Sequence, residues 1–86
     1  QTDRNRQMNK QQISEWLMSW FQERVPGLEL GETENYIDKS VIDSFGIIEL
    51  IEAIESRFDI KFDQKDMQSL ELFSVDGLAS IISRKL

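Results

Sequence analysis

The chain has 86 residues, a net charge of −6, 40% hydrophobic and 30% charged residues, which fits one domain with a packed core. It contains no Cys and no His, which excludes disulfides, thiolate or imidazole metal ligands and the Ser-His and Cys-His pairs of nucleophilic enzymes. We therefore expect a protein that is not an enzyme, with no catalytic residue and no metal site. Its acidic surface disfavours nucleic acid and favours basic partner surfaces.

The N-terminal residues 1–12 are polar, and we predict a flexible lead-in there, followed by one domain over residues 13–86. This segment lacks the apolar stretch of a secretory signal, and no apolar run reaches the length of a membrane span. A cytoplasmic location without membrane insertion is the resulting expectation.

A first helix is predicted from about Asn9 to Arg24, because apolar residues recur at the spacing of one helix face. Pro26-Gly27 ends it. The following connection, residues 25–43, contains many apolar residues, so we expect it to be ordered and packed on the domain. The apolar positions of the first helix are Ile13, Trp16, Leu17, Trp20 and Phe21.

A second helix is predicted from Ser44 to Arg57, with Asp43 or Ser44 as its N-cap. Its residues divide into a core face, an opposite face and a flank between them. The core face holds Ile47, Leu50, Ile51, Ile54 and Phe58; the opposite face holds Phe45, Glu49, Glu52 and Ser56; Ile48 and Glu55 lie on the flank.

The rest of the chain predicts one helical turn after Asp63, ending at Met67, and a last helix that begins at Ser74. Gly77 lies inside this last helix, where it permits a close approach of a neighbouring element. The predicted fold is all-α: an antiparallel bundle of three main helices plus one short helix, with a long ordered loop between the first two.

The dipeptide Asp43-Ser44 places a hydroxyl at the N-terminus of the second helix. Unpaired N–H groups and the positive end of the helix dipole would favour a phosphodiester there. Taken alone, such a dipeptide is in most cases only a helix cap, so by itself it is weak evidence.

The run Val41-Ile42-Asp43-Ser44-Phe45-Gly46-Ile47-Ile48-Glu49-Leu50 resembles the phosphopantetheine attachment site of the acyl carrier protein family. The resemblance extends from about Ile13 to Leu86 through the order of helices, loop and short turn. It implies that Ser44 carries 4'-phosphopantetheine from coenzyme A, that Asp43 is the preceding acid, and that Phe45 contacts partner enzymes. The arm would supply the thiol that the chain lacks.

Two positions, Val41 and Gly46, depart from many fatty-acid carriers, which have a glycine and an acid there. The segment is more similar to stand-alone carriers of the D-alanyl and specialised-metabolite types. The cargo, whether fatty acyl, aminoacyl, hydroxyacyl or polyketide, remains open.

The resemblance also implies the partners: a phosphopantetheinyl transferase, a ligase that loads acyl or aminoacyl groups, and downstream synthases or transferases. A monomer is expected. Partner recognition is assigned to Phe45, Ile48, Glu49, Glu52 and Glu55, where carboxylates around a small apolar patch would give fast docking. The alternative for these acids is an ordinary solvated helix face.

Two other functions remain as alternatives. One is an unmodified, carrier-like helical adaptor that only binds proteins. The other is a small serine hydrolase, which the absence of any base disfavours.

Overall fold

The computed structural model describes residues 9–86. The helices are α1 (Lys10–Arg24), α2 (Ser44–Phe58), α3 (Gln64–Met67) and α4 (Val75–Lys85), with a 3₁₀ helix at Leu70–Phe73 between α3 and α4. The predicted all-α bundle of three main helices and one short helix is confirmed. Across residues 9–86, no helix has the length and hydropathy needed to cross a bilayer.

The start of α1 lies within one residue of its predicted position. Asn9 is the N-cap, and it forms a reciprocal capping box with Gln12. Of the predicted flexible lead-in, residues 1–8 lie outside the described part of the chain.

The core forms where the apolar faces of α1, α2 and α4 meet, as the helical spacing predicts. Two contacts show that α1 and α2 run antiparallel. Arg24 at the end of α1 pairs with Glu49 near the start of α2, and Trp16 in the first half of α1 packs edge-on against Phe58 at the end of α2. Apolar residues fully or almost fully buried in these helices are Ile13, Leu17, Phe21, Leu50, Ile54, Phe58, Val75, Leu78, Ala79, Ile81 and Ile82.

The long connection is pinned to the 3₁₀ helix through Tyr36. The Tyr36 side chain is fully buried, its hydroxyl donates to the Leu72 carbonyl, and its N–H donates to the Phe73 carbonyl at 3.1 Å. Burial raises the pKa of Tyr36 well above its ordinary value. A second link joins the Asp76 N–H to the Glu32 carbonyl at 2.7 Å. The connection is thus ordered and packed, as predicted.

The 3₁₀ helix, which the sequence pattern does not reveal, approaches α4 very closely at Gly77. A Cβ on Gly77 would lie 2.0 Å from the Glu71 carbonyl oxygen and 2.7 Å from the Glu71 Cα. The close approach expected at Gly77 is therefore present, and the approaching element is the backbone of the 3₁₀ helix.

An ion pair between Lys85 and Asp66, with Nζ and Oδ2 2.7 Å apart, ties the end of α4 to α3. Burial alone would raise the pKa of Asp66, but hydrogen bonds from Lys85 and from the Asp63 N–H outweigh it and lower that pKa. The hydrogen bond to Asp66 raises the pKa of Lys85.

We expect the stability supplied by this pair to be present above the unfolded-state pKa of Asp, about 3.9, and to be lost as pH falls through the lower folded-state value. Asp66→Asn should lower the free energy of unfolding by about 1 kcal/mol near neutral pH. Below about pH 4 the stability of this variant should fall less steeply with pH than that of wild type. Urea unfolding across pH measures this. Asp38→Asn, which removes an exposed acid of the connection, is the control. If the stability of Asp66→Asn fell with pH below about pH 4 as steeply as that of wild type, the prediction would be contradicted.

Candidate functional site

Ser44 is the first residue of α2 and is exposed. The N-cap is Asp43, whose carboxylate accepts a hydrogen bond from the Gly46 N–H at 2.9 Å. Of the two residues that the sequence offers as caps, Asp43 therefore takes that role. The helix does not need the Ser44 hydroxyl for its cap, so this hydroxyl can carry a substituent without disturbing it.

The N-terminus of α2 favours a negative group near Ser44, whereas the adjacent Asp43 carboxylate repels one. The first N–H groups of α2 have no carbonyl partner within the helix, and the positive end of the helix dipole lies there. A phosphodiester on Ser44 would thus be stabilised by the helix terminus, while the Asp43 carboxylate already occupies the Gly46 N–H.

The backbone before Ser44 is held firmly on the domain. Ser40 adopts a left-handed conformation with φ 58°, and the Val41 N–H donates to the Tyr36 carbonyl at 3.0 Å. Ile42 packs so closely on Gly46 that a Cβ at Gly46 would lie 2.6 Å from the Ile42 Cβ. Gly46, a departure from the fatty-acid pattern, therefore has a steric reason in this chain.

Two large apolar side chains next to Ser44 face solvent. Phe45 is 78% exposed and Ile48 is 54% exposed. A Phe this open has no role in the core, and together with Ile48 it leaves a small apolar surface along the start of α2.

The three acids assigned to partner recognition have different surroundings. Glu52 is exposed, whereas Glu49 forms an ion pair with Arg24 of α1. Glu55 is half-buried, and its carboxylate accepts a hydrogen bond from the Phe62 N–H at 2.9 Å. Glu55 thus helps to hold the connector after α2, a contact that the helix pattern does not reveal.

A groove of about 610 Å³ opens beside the start of α2, between the end of α1 and the long connection. We call it the Arg24 groove. Arg24 is held there by Glu49 and by the face of Trp20, with its guanidinium carbon 4.3 Å from the ring centroid. The lining residues are Arg24, Val25, Ile37, Ser40, Val41, Ile42, Asp43, Phe45, Gly46 and Glu49.

Sequence reasoning missed two surface features. The sequence pattern marks Arg24 only as the end of a helix, and it does not distinguish Leu70 of the 3₁₀ helix, which is 87% exposed. Leu70 stands close in sequence to the buried Leu72, and no periodic pattern distinguishes the exposed residue from the buried one.

Comparisons of the chain with profiles of known protein families, with curated proteins and with solved structures gave no match.

Proposed function

We propose that this chain is a carrier protein, on which Ser44 bears a 4'-phosphopantetheine arm and acyl or aminoacyl groups are held as thioesters on that arm. The observation that supports this most is the exposed Ser44 at the start of α2, capped by Asp43 and preceded by a connection pinned to the domain. A hydroxyl in this setting is accessible to another enzyme and stands on a backbone that is held in position.

The chain itself supplies the acceptor oxygen and little else to the modification step. The Ser44 hydroxyl oxygen would attack the β-phosphate of coenzyme A, the phosphoanhydride bond would break, and 3',5'-adenosine bisphosphate would leave. The transferase would take the serine proton and provide the divalent cation, since the chain has no His to act as a base.

Docking of partners is assigned to the surface around Ser44. Phe45 and Ile48 offer apolar area at low entropic cost, while Glu49 and Glu52 attract basic partner residues. Such a surface fits brief, repeated encounters, because electrostatic attraction raises the association rate without requiring high affinity.

The direct test is to incubate the purified protein with coenzyme A, Mg²⁺ and a broad-specificity phosphopantetheinyl transferase. We expect the intact mass to rise by one phosphopantetheine group, and peptide mapping to place the group on Ser44. An unshifted mass would overturn the proposal and favour the unmodified adaptor.

A charge reversal on α2 tests the docking surface. We expect Glu52→Lys to lower the second-order rate constant of arm transfer roughly tenfold at low salt, because electrostatic steering of the basic transferase is lost. The difference from wild type should shrink as ionic strength rises.

Glu15→Lys on α1 is the matched control, because it makes the same charge change at an exposed acid away from Ser44. Equal slowing in both variants would show that net charge rather than the α2 surface guides the transferase.

A further inference from the structure

The Arg24 groove has no role in the attachment chemistry described above, yet it adjoins the attachment residue. Asp43 and Phe45, the two neighbours of Ser44 in the chain, both line it. We infer that this groove is the resting site of the pantetheine part of the arm, an inference that rests on the proposed carrier function.

The volume and lining of the groove fit an arm of this chemistry. Its size, about 610 Å³, lies within the range of small-molecule sites. The pantetheine chain alternates a dimethyl group and methylenes with two neutral amides. The apolar stretches would lie against Val25, Ile37 and Val41, residues with which the long connection lines the groove.

The polar groups of the groove suit amides in particular. The Arg24 guanidinium offers N–H donors to an amide carbonyl, and the Glu49 carboxylate offers acceptors to an amide N–H. Trp20 and Glu49 hold Arg24 in place, so the arm meets a donor that is already oriented. A neutral amide can accept a hydrogen bond from Arg24 and donate one to Glu49 while the two charged groups stay close together.

This arrangement links arm release to partner docking. Glu49 belongs both to the groove and to the acidic surface offered to partners. A basic partner residue that forms an ion pair with Glu49 draws the Glu49 carboxylate away from Arg24, and the groove loses a hydrogen-bond acceptor. Because such coupling is reciprocal, the docked arm weakens the binding of that partner residue and the partner favours the free arm.

The test uses the complete protein carrying the arm on Ser44, labelled with ¹³C and ¹⁵N and studied by NMR. We expect nuclear Overhauser contacts from the arm's dimethyl protons to the methyl groups of Val25 and Ile37. Contacts confined to Ile48, or none to any side chain, would overturn the groove inference while leaving the carrier function intact. Failure to install any arm would overturn both.

Arg24→Met tests the polar part of the site while keeping an apolar stem beside Trp20. We expect the ratio of docked to undocked arm, followed by the Val25 and Ile37 methyl shifts, to fall roughly fivefold, the effect of losing one ordinary hydrogen bond. Lys10→Met is the matched control, because it breaks a different ion pair of α1, the one to Asp76. Equal losses in both variants, or no loss in Arg24→Met, would contradict a role for Arg24 in holding the arm.

Discussion

Ser44→Ala is expected to abolish transfer of the phosphopantetheine arm, so that intact mass is unchanged after any length of incubation with coenzyme A and transferase. The reason is chemical: the hydroxyl oxygen is the atom that forms the new phosphodiester bond. The fold should persist, since Ser44 is exposed and Asp43 supplies the cap, and an exposed substitution of this kind changes stability by less than about 0.5 kcal/mol.

Ser56→Ala is the matched control, because Ser56 is an exposed serine on the same helix. It should accept the arm at the wild-type rate. A mass increase that persists in Ser44→Ala, or is lost in Ser56→Ala, would place the modification elsewhere and end the assignment of Ser44. Circular dichroism of each variant checks that the helices remain.

Gly77→Ala is expected to lower the free energy of unfolding by about 3 kcal/mol, at the upper end of the cost of overpacking. The added Cβ would lie 2.0 Å from the Glu71 carbonyl oxygen. Because the obstructing atoms are backbone, no rotamer change relieves the contact, and the 3₁₀ helix must move away from α4. A loss of this size should lower Tm by roughly 15 °C in a domain of this length.

The sign of this prediction separates packing from helix propensity. In an open helix, Gly to Ala stabilises by up to about 1 kcal/mol, so a stabilised Gly77→Ala protein would contradict the close approach. Gly31→Ala is the control, because its Cβ would meet only the flexible side chain of Glu34, at 3.3 Å. It should change stability by less than about 0.5 kcal/mol in thermal unfolding.

Helix positions and core residues were predictable because the spacing of apolar residues shows both where a helix runs and which face of it is buried. Leu50 and Ile54 follow the period of α2, and they are buried as predicted. Asp43 was one of the two caps predicted for α2, since few residue types accept a hydrogen bond from a helix N-terminus. Ser74, predicted as the first residue of the last helix, is its N-cap. The 3₁₀ helix was not, because four residues are too few to show a period.

Features that depend on contacts between residues distant in sequence could not be predicted from the spacing of apolar residues. Tyr36 gave no sign that it would bond to Leu72, and Arg24 gave none that it would face Glu49. Periodicity reports which face of a helix is buried, but not which residue of another element meets it. The groove beside Ser44 is formed by such contacts, so only the structure reveals it, whereas the position of Ser44 at the start of α2 followed from the sequence.

The Tyr36 anchor has a consequence for cooperativity. Nineteen residues separate α1 from α2, and a connection of this length would ordinarily offer proteases an easy site. Here its middle is fastened to Leu72 and Phe73, at the junction of the 3₁₀ helix and α4. Opening the connection therefore requires the C-terminal elements to loosen as well. Backbone amides around Tyr36 should exchange with solvent together with those of α4, as one cooperative unit.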